Sequence, residues 1–222
     1  MAVFAGKSVL VTGGSRGIGR EIALRFADLR RAEATLLRGN VGDPAKAASF
    51  VEECGALDVL VSNAATGVIR PALELEERHW DWTLNANARA FFTLVRNAAP
   101  KMQPGSSIVA TSSLGSARVL ENYILVGTSK AALEALVRYL AVELAPRGIN
   151  VNAVSAGLVE TGALEYFPNR EEMLKWYRER TPAGRLVEPR DVAEVVCFLA
   201  SPAAGMIRGQ TVVVDGGYSV VA

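Results

Sequence analysis

The chain has 222 residues, of which half are hydrophobic and 21% are charged. This composition can bury a large core, which excludes a disordered or collagen-like chain. The 24 Lys and Arg residues nearly balance the 23 Asp and Glu residues, so the charge gives no reason to expect a nucleic-acid or anionic-membrane partner. No apolar run reaches the ~18–20 residues of a membrane helix, and we expect no signal peptide before the first strand.

Short apolar segments of strand length alternate with longer segments of helical periodicity. Strands are predicted at about residues 7–12, 35–40, 57–62, 107–111, 150–154 and 211–214. Helices are predicted at about residues 19–27, 44–54, 74–102, 122–146 and 189–200. Strands that are apolar on both faces and separated by helices predict a parallel sheet covered on both sides. We therefore predict one three-layer α/β/α domain over residues 1–222.

A glycine-rich loop joins the first predicted strand to the first predicted helix. Residues 12–19 are Thr-Gly-Gly-Ser-Arg-Gly-Ile-Gly, a Gly-x3-Gly-x-Gly variant of the dinucleotide fingerprint. The glycines permit a tight turn and a close approach of the backbone to a pyrophosphate, and the helix N-terminus attracts phosphate. This context predicts a Rossmann-type, doubly wound sheet that binds a dinucleotide. The predicted contacts in the loop are Gly13, Ser15, Arg16, Gly17, Ile18 and Gly19.

Arg16 has a more specific predicted role within that loop. A cation at this position would meet the 2′-phosphate of NADPH. The plainer alternative is a solvated arginine. We favour the phosphate contact and predict NADPH as the cofactor.

Tyr123 and Lys130 form a candidate catalytic pair. They lie seven residues apart, almost two helical turns, so both project from one face of a predicted helix. A hydride delivered to carbon leaves charge on an oxygen, which needs a proton and hydrogen-bond donors. A phenol, with an ordinary pKa of about 10, needs a nearby cation to act near neutral pH. Taken singly, Tyr123 is an ordinary helix-start aromatic, Lys130 a solvated lysine, and Ser112 and Ser113 turn residues.

Cysteine and histidine are too few for other common chemistries. Cys54 and Cys197 are isolated, which predicts reduced thiols in a cytoplasmic protein. His79 is the single histidine. These residues cannot build a His/Cys zinc site or a Ser-His-Asp triad, and we predict no metal.

Together with Asn63-Ala64-Ala65, Asn87, Ser112-Ser113 and the final segment 209–217, these motifs resemble the short-chain dehydrogenase/reductase family over nearly the whole chain. The resemblance implies that Tyr123 donates a proton and that Lys130 lowers the pKa of Tyr123 and holds the nicotinamide ribose. It implies that Ser113 orients the substrate oxygen and that Asn87 anchors a water relay. Further cofactor contacts implied by the resemblance are Asn40, Val41, Asn63, Ala64, Lys130, Gly157 and Thr161.

One departure from the family pattern indicates the reaction. Ketone-reducing members have their tyrosine four residues before the lysine, where this chain has Val126. Tyr123 lies one turn earlier, ~4.5 Å along the helix axis at ~1.5 Å per residue. In the reduction of an α,β-unsaturated thioester, hydride adds to the β-carbon and charge appears on the carbonyl oxygen two carbons away. A displaced phenol matches this displaced oxygen.

The Tyr-x6-Lys spacing combined with an ordinary glycine loop resembles enoyl-acyl-carrier-protein reductases of type III. That resemblance implies NADPH-dependent reduction of a trans-2 double bond in bacterial fatty acid synthesis, with an enoyl chain on acyl carrier protein or coenzyme A. It also implies a homotetramer associated through the helices around 74–102 and 122–146. Two alternatives stay open: a ketone- or alcohol-directed reductase (a 3-oxoacyl-acyl-carrier-protein reductase or a sugar dehydrogenase), and a catalytically silent nucleotide-binding protein.

Residues 158–186 are predicted to form a lid over the substrate. Apolar side chains are spread along this segment, which would bury an acyl chain, although core packing explains each of them equally well. Basic residues of the same segment are candidates for docking the acidic acyl carrier protein. Because acids are mixed among them, a solvated helix is the favoured interpretation.

The chain is unexpectedly short after the first predicted helix. A dinucleotide-binding fold has a second strand there, ending about 20 residues past the glycines beside the adenosine ribose. Either the chain lacks a strand–helix unit of ~25–30 residues, which exposes a sheet edge and removes half of the adenosine pocket, or the sequence at hand skips such a segment near residues 26–31. Because the catalytic residues are intact, we favour the second alternative, which predicts a break near residues 26–29.

Overall fold

The computed structural model describes residues 3–30, 34–160 and 170–221. Five parallel strands form one sheet in chain order. They are β1 (Val9–Val11), β2 (Val59–Ser62), β3 (Ser107–Ser113), β4 (Asn150–Ala156) and β5 (Thr211–Val214). β2 and β4 are buried throughout, as expected for strands whose two faces are both covered by helices.

Seven α-helices connect and flank these strands in the described residues. They are α1 (Gly17–Arg30), α2 (Pro44–Cys54), α3 (Glu77–Leu84), α4 (Ala90–Ala98), α5 (Ile124–Leu144), α6 (Arg170–Arg180) and α7 (Pro189–Leu199). A π-helical turn, Asn85–Arg89, joins α3 to α4. Local sequence explains where α2 begins: Asp43 caps the helix by accepting a hydrogen bond from the Ala45 N–H at 2.9 Å, and Pro44 occupies its first position.

Two hydrophobic clusters lie on opposite faces of the sheet. On one face, α1 and α7 cover the sheet with residues such as Phe26 and Val196. On the other face, α2, α4 and α5 cover it with residues such as Phe50, Phe91 and Val137. The predicted α/β/α fold with three layers is therefore confirmed. In the described residues, no helix is long and apolar enough to cross a membrane.

The predicted break near residues 26–29 is wrong, because α1 runs without interruption from Gly17 to Arg30. Ile22 and Phe26 continue the helical spacing on the buried face, and Leu29 packs partly against the same cluster. An ion pair of 2.8 Å between Arg25 and Asp28 supports the same turn from the solvent side. The helix thus extends beyond the predicted end at residue 27.

The predicted strand at residues 35–40 is also wrong, because residues 34–40 have no regular secondary structure. In the doubly wound order, a third strand pairs with the second one, and the described residues contain no strand beyond β1. Without that neighbour the segment stays on the surface, and Leu36 is 63% exposed. The five described strands therefore correspond to one half of a doubly wound sheet, the half that starts at β1 and continues in chain order to β5.

β1 is consequently an edge strand. Thr12, which follows β1, donates its N–H to the Val61 carbonyl, and the carbonyl of Ser8, which precedes β1, accepts from the Val59 N–H, so every second residue from Ser8 to Thr12 bonds to β2. The backbone groups of Val9 and Val11 face the opposite side. No strand of the described chain pairs with that side.

Candidate active site

The glycine loop at the end of β1 adopts a conformation that requires its glycines. Gly13 and Gly17 have φ angles of 67° and 55°, in the left-handed region. A Cβ atom at Gly19 would lie 2.3 Å from the Gly13 carbonyl oxygen and 2.3 Å from Asn63 Nδ2. The start of α1 is therefore packed tightly against the turn and against the segment that follows β2, as the fingerprint predicts.

Thr12 and Asn63 fasten the ends of β1 and β2 together. Thr12 Oγ1 accepts hydrogen bonds from the N–H groups of Asn63 and Ala64, at 2.9 and 3.0 Å. Asn63 Nδ2 donates in return to the Thr12 carbonyl at 3.2 Å. After β1 the chain turns toward one face of the sheet, and after β2 it turns toward the other face. The crevice between these two turns is the place where α/β sheets bind ligands.

The other predicted cofactor residues differ in their surroundings. Ser15 and Arg16 are exposed in the loop, and Ile18 packs partly against the α1–α7 cluster. The side-chain oxygen of Asn40 accepts from the Gly42 N–H at 2.9 Å, and Val41 packs partly against the opposite cluster.

Gly157 follows β4, close to the end of β5. A Cβ atom there would lie 2.9 Å from Asp215 Cα, and the Gly157 N–H donates to the Val214 carbonyl at 2.8 Å. Gly157 thus has a packing role in the structure. Thr161 lies outside the described residues.

These residues fit a dinucleotide at its pyrophosphate side. The turn at Gly13 and Gly17 leaves backbone and the α1 N-terminus facing the crevice, as the fingerprint requires. The adenosine side differs, because the strand expected to flank the ribose is absent from the described chain.

Tyr123 lies at the N-cap of α5, where its ring packs against Gly115. A Cβ atom at Gly115 would lie 2.6 Å from that ring, so only glycine fits there. The Tyr123 and Ser113 side chains are hydrogen bonded. Burial raises the pKa of the Tyr123 phenol, and the hydrogen bond with Ser113 partly offsets that rise. The structure therefore brings together the two residues predicted to handle the substrate oxygen.

Lys130 is buried two turns further along α5. Its Nζ donates to the Thr111 carbonyl at 2.7 Å. Burial lowers the pKa of Lys130 to about 8, although the negative charge of Glu134 acts in the opposite direction. The structure thus shows Lys130 held against the end of β3, while burial raises the pKa of Tyr123 instead of the cation lowering it.

Asn87 lies in the π-helical turn and is 2% exposed. Its side-chain nitrogen donates to the Thr66 carbonyl at 2.9 Å and to Ser129 Oγ at 2.8 Å. Its side-chain oxygen accepts from the Thr66 N–H at 3.0 Å. Both amide hydrogens are engaged by protein groups, so Asn87 braces the loop after β2 against α5. The water relay implied for Asn87 remains a prediction.

Val126 occupies the position where ketone-reducing relatives have their tyrosine. It is 7% exposed, and it packs against Gly67, where a Cβ atom would lie 2.3 Å from Val126 Cγ2. A hydrocarbon fills this position, and the phenol of Tyr123 stands one turn earlier.

A family model described as Enoyl-(Acyl carrier protein) reductase matches residues 25–219. A 1-cyclohexenylcarbonyl-CoA reductase from Streptomyces collinus is 38% identical over 243 residues, which cover 96% of this chain and 87% of the relative. The chain belongs to the short-chain dehydrogenase/reductase family. It is thus an NAD(P)-dependent oxidoreductase.

Solved structures of this family show the same fold. A short-chain dehydrogenase from Burkholderia cenocepacia in complex with NADP has a TM-score of 0.89 and 31% identity, over 97% of this chain and 99% of that one. The aldohexose dehydrogenase of Thermoplasma acidophilum has a TM-score of 0.90 and 29% identity, over 100% and 97%. The alignment of 243 residues with the Streptomyces reductase exceeds the 222 residues of this chain. That relative therefore has residues without a counterpart here.

Sequence reasoning missed an aromatic cluster beside Tyr123 in this reductase. The rings of Tyr177 and Tyr218 stack with centroids 4.3 Å apart, and Trp176 contacts both rings edge-on. Burial raises the pKa of Tyr177, and hydrogen bonding to Tyr218 and the charge of Tyr123 raise it further. Tyr177 and Tyr218 are far apart in sequence, so their spacing gave no signal. Residues 161–169 of the lid predicted at residues 158–186 lie outside the described residues. The described part includes α6, which carries Trp176 and Tyr177, and the lid stays a prediction.

Two cavities lie along the segment between β3 and α5, and the first of them reaches Tyr123. The first, of about 470 Å³, includes Tyr123, Gly115 and Arg70 in its lining. The second, of about 710 Å³, includes Trp176 and Tyr218. Arg118, Val119 and Leu120 line both cavities. A substrate beside Tyr123 thus has space on both sides of the segment between β3 and α5. In the described residues, no group of three or more His, Cys, Asp or Glu could hold a metal ion.

Proposed function

We propose that this reductase uses NADPH to reduce the trans-2 double bond of an acyl thioester. The observation that supports this reaction is the position of Tyr123 at the N-cap of α5, with Val126 packed where ketone-reducing relatives have a phenol. A donor displaced by one turn suits a substrate whose oxygen is displaced from the carbon that accepts hydride. The 38% identity to a reductase of a cyclohexenylcarbonyl-CoA, itself an unsaturated thioester by name, agrees with this choice.

The chain's own residues can manage the charge that the reaction creates. When bound, NADPH would supply the hydride for the β-carbon, and negative charge would then develop on the carbonyl oxygen of the thioester. Tyr123 and Ser113, already hydrogen bonded to each other, donate hydrogen bonds to that oxygen. The Tyr123 hydroxyl supplies the proton that ends on the α-carbon, so one hydride and one proton saturate the bond. Lys130 orients the nicotinamide ribose from its site at the end of β3.

NADPH is proposed over NADH because Arg16 is exposed in the glycine loop, where a cation meets a 2′-phosphate. The proposed carrier of the enoyl chain is acyl carrier protein or coenzyme A, in bacterial fatty acid synthesis. The proposed location is the cytoplasm, in line with free Cys54 and Cys197.

We also propose a homotetramer. α4 and α5 expose large apolar side chains, including Phe92, Tyr139 and Val142, on helices through which the family associates.

Two thioesters test the proposed reaction. With NADPH, the purified protein should reduce crotonyl-CoA, measured by loss of absorbance at the nicotinamide band, and should turn over acetoacetyl-CoA far more slowly. Turnover of acetoacetyl-CoA alone would assign the protein to the ketone-directed reductases. Turnover of neither, with NADPH bound, would favour a catalytically silent nucleotide-binding protein.

A further inference from the structure

Three successive residues at the end of β3 each contact one residue of α5 or its N-cap. The Thr111 carbonyl accepts from Lys130, the Ser112 hydroxyl donates to Glu134 at 2.5 Å, and the Ser113 side chain bonds to Tyr123. Two of these partners, Tyr123 and Lys130, are the proposed catalytic pair. The third is Glu134, which has no part in the mechanism proposed above.

Glu134 lies four residues after Lys130, so the two side chains share one face of α5. Glu134 is half-buried, and its bond from Ser112 joins a neutral hydroxyl to a carboxylate, which is a strong, charge-assisted type of hydrogen bond. A carboxylate fixed in this way has a defined place relative to both α5 and β3.

Lys130 needs such a partner because a buried cation without compensating charge is costly. The elements packed around it offer few other charges. β3 and β4 contain no ionisable side chain, and the charged residues of α3 are exposed. In the π-helical turn, Asn87 is neutral and Arg89 donates to the Gly42 carbonyl. Tyr123 is the other titratable group on this face, and Glu134 is the group whose charge favours the cationic form of Lys130.

We infer that Glu134 is a positioning residue of the active site, which keeps Lys130 charged and seated against the end of β3 through its carboxylate and its hydrogen bond from Ser112. The inference rests on the proposed role of Lys130, and it holds whichever double bond is reduced. Glu134 acts through Lys130 and Ser112 and has no contact with the substrate in this role.

Two variants separate the charge of Glu134 from its hydrogen bond. Glu134→Gln keeps an oxygen that accepts from Ser112 and removes the charge, whereas Ser112→Ala keeps the charge and removes the bond. Glu143→Gln is the matched control, because Glu143 is exposed on the same helix. Melting temperatures of all three proteins report folding, and Glu134→Asp tests rescue by a shorter carboxylate.

The pH profile of kcat is the readout that a merely structural role would not move. Activity needs protonated Lys130 and is lost as pH rises through its pKa of about 8. Because Glu134 holds that pKa up, Glu134→Gln should move the alkaline loss of activity to lower pH by about one unit. Its kcat at pH 8 should fall about fivefold, because a pKa one unit lower leaves fewer Lys130 side chains protonated at that pH, with a much smaller change in KM for the thioester. Ser112→Ala should lower kcat without moving the profile.

NADPH affinity, measured by its fluorescence on binding, tests the same inference without turnover, because Lys130 is proposed to hold the ribose. We expect Glu134→Gln to bind NADPH several-fold more weakly at pH 8, and Glu143→Gln to match the parent protein. The inference would be overturned if Glu134→Gln had the same pH profile of kcat and the same NADPH affinity as Glu143→Gln. If Glu134→Gln does not fold, an unchanged kcat in Ser112→Ala overturns it. The thioester assays test a different claim, namely which substrate is reduced. Their failure would leave the result for Glu134 unchanged.

Discussion

Two influences act on the pKa of Tyr123 in opposite directions. Burial favours the neutral phenol, and the bond with Ser113 favours the phenolate. A phenol that keeps its proton until charge develops on the substrate is suited to a late proton transfer. At the residue scale, the proposed chemistry therefore requires a protonated Tyr123 beside Ser113.

Replacing Tyr123 by phenylalanine should remove the proton donor and keep the ring that packs on Gly115. We expect kcat for crotonyl-CoA to fall by about 100-fold or more, with NADPH affinity nearly unchanged. Tyr139→Phe is the matched control, because Tyr139 is 72% exposed on the same helix. Full activity in Tyr123→Phe would exclude Tyr123 as the acid.

Gly115 limits where that ring can lie. A Cβ atom 2.6 Å from the ring would force Tyr123 to move, so Gly115→Ala should lower kcat more than tenfold and lower the melting temperature. Gly55→Ala provides a comparison, because Gly55, unlike Gly115, has a left-handed φ and has no atom within 4 Å of its Cβ position. It should lower stability through backbone strain and leave kcat unchanged. Equal kcat values for the two variants would contradict this account of Gly115.

At the scale of elements, the π-helical turn between α3 and α4 directs Asn87 into the space between the β2 loop and α5. Such turns insert one extra residue per turn and are frequent at functional sites. Here the turn brings Asn87 to Thr66 and to Ser129, the residue before Lys130. Asn87 thus connects the crevice loop with the catalytic helix.

Asn87→Ala should therefore destabilise the fold as well as the site. It leaves the buried Ser129 hydroxyl and the Thr66 backbone without their partner, at a cost of about 2 kcal/mol in the free energy of unfolding. Urea denaturation measures this cost. The control is Asn97→Ala, since Asn97 donates to the Thr93 carbonyl of its own helix. A loss of activity with unchanged stability would instead favour a role for Asn87 in a water relay.

The features of the fold and of the candidate site that could be predicted from the sequence are those set by spacing within a short segment. The glycine spacing fixed the loop after β1, and the Tyr-x6-Lys spacing fixed two residues on one helix face, because each depends on geometry within a few turns. The contacts of Glu134 with Ser112 and of Tyr177 with Tyr218 join distant segments. Glu134 alone had a usable signal, since it lies four residues after Lys130. The packing role of Gly157 likewise depends on β5, which sequence spacing does not place.

At the scale of the whole molecule, the described residues form no strand on the outer side of β1, and we expect this to affect cofactor selection. The predicted break near residues 26–29 is not found, because α1 runs to Arg30 with Ile22, Phe26 and Leu29 on one helical face. With no described strand beside the adenosine ribose, Arg16 is the charged group predicted to contact the 2′-phosphate.

Arg16→Ala should therefore bring the affinities for NADPH and NADH close together. We expect the parent protein to prefer NADPH by no more than about tenfold, because an exposed ion pair contributes little. The variant should lose that preference through weaker NADPH binding alone. Arg20→Ala, one turn later and also exposed, is the control. A strong NADPH preference that survives in Arg16→Ala would mean that another group contacts the phosphate.

Because no described strand pairs with the outer side of β1, an additional strand could be engineered there. The strand–helix unit of a longer relative can be grafted between α1 and residue 34, where the outward backbone groups of Val9 and Val11 are ready to pair with a new strand. Ser113 belongs to β3, Tyr123 and Lys130 to α5 and its N-cap, and Asn87 to the π-helical turn, so such a graft would add a strand beside the proposed adenosine site and leave these residues in place. We expect a graft of this kind to change the affinity for the cofactor and to leave the residues proposed for catalysis unchanged.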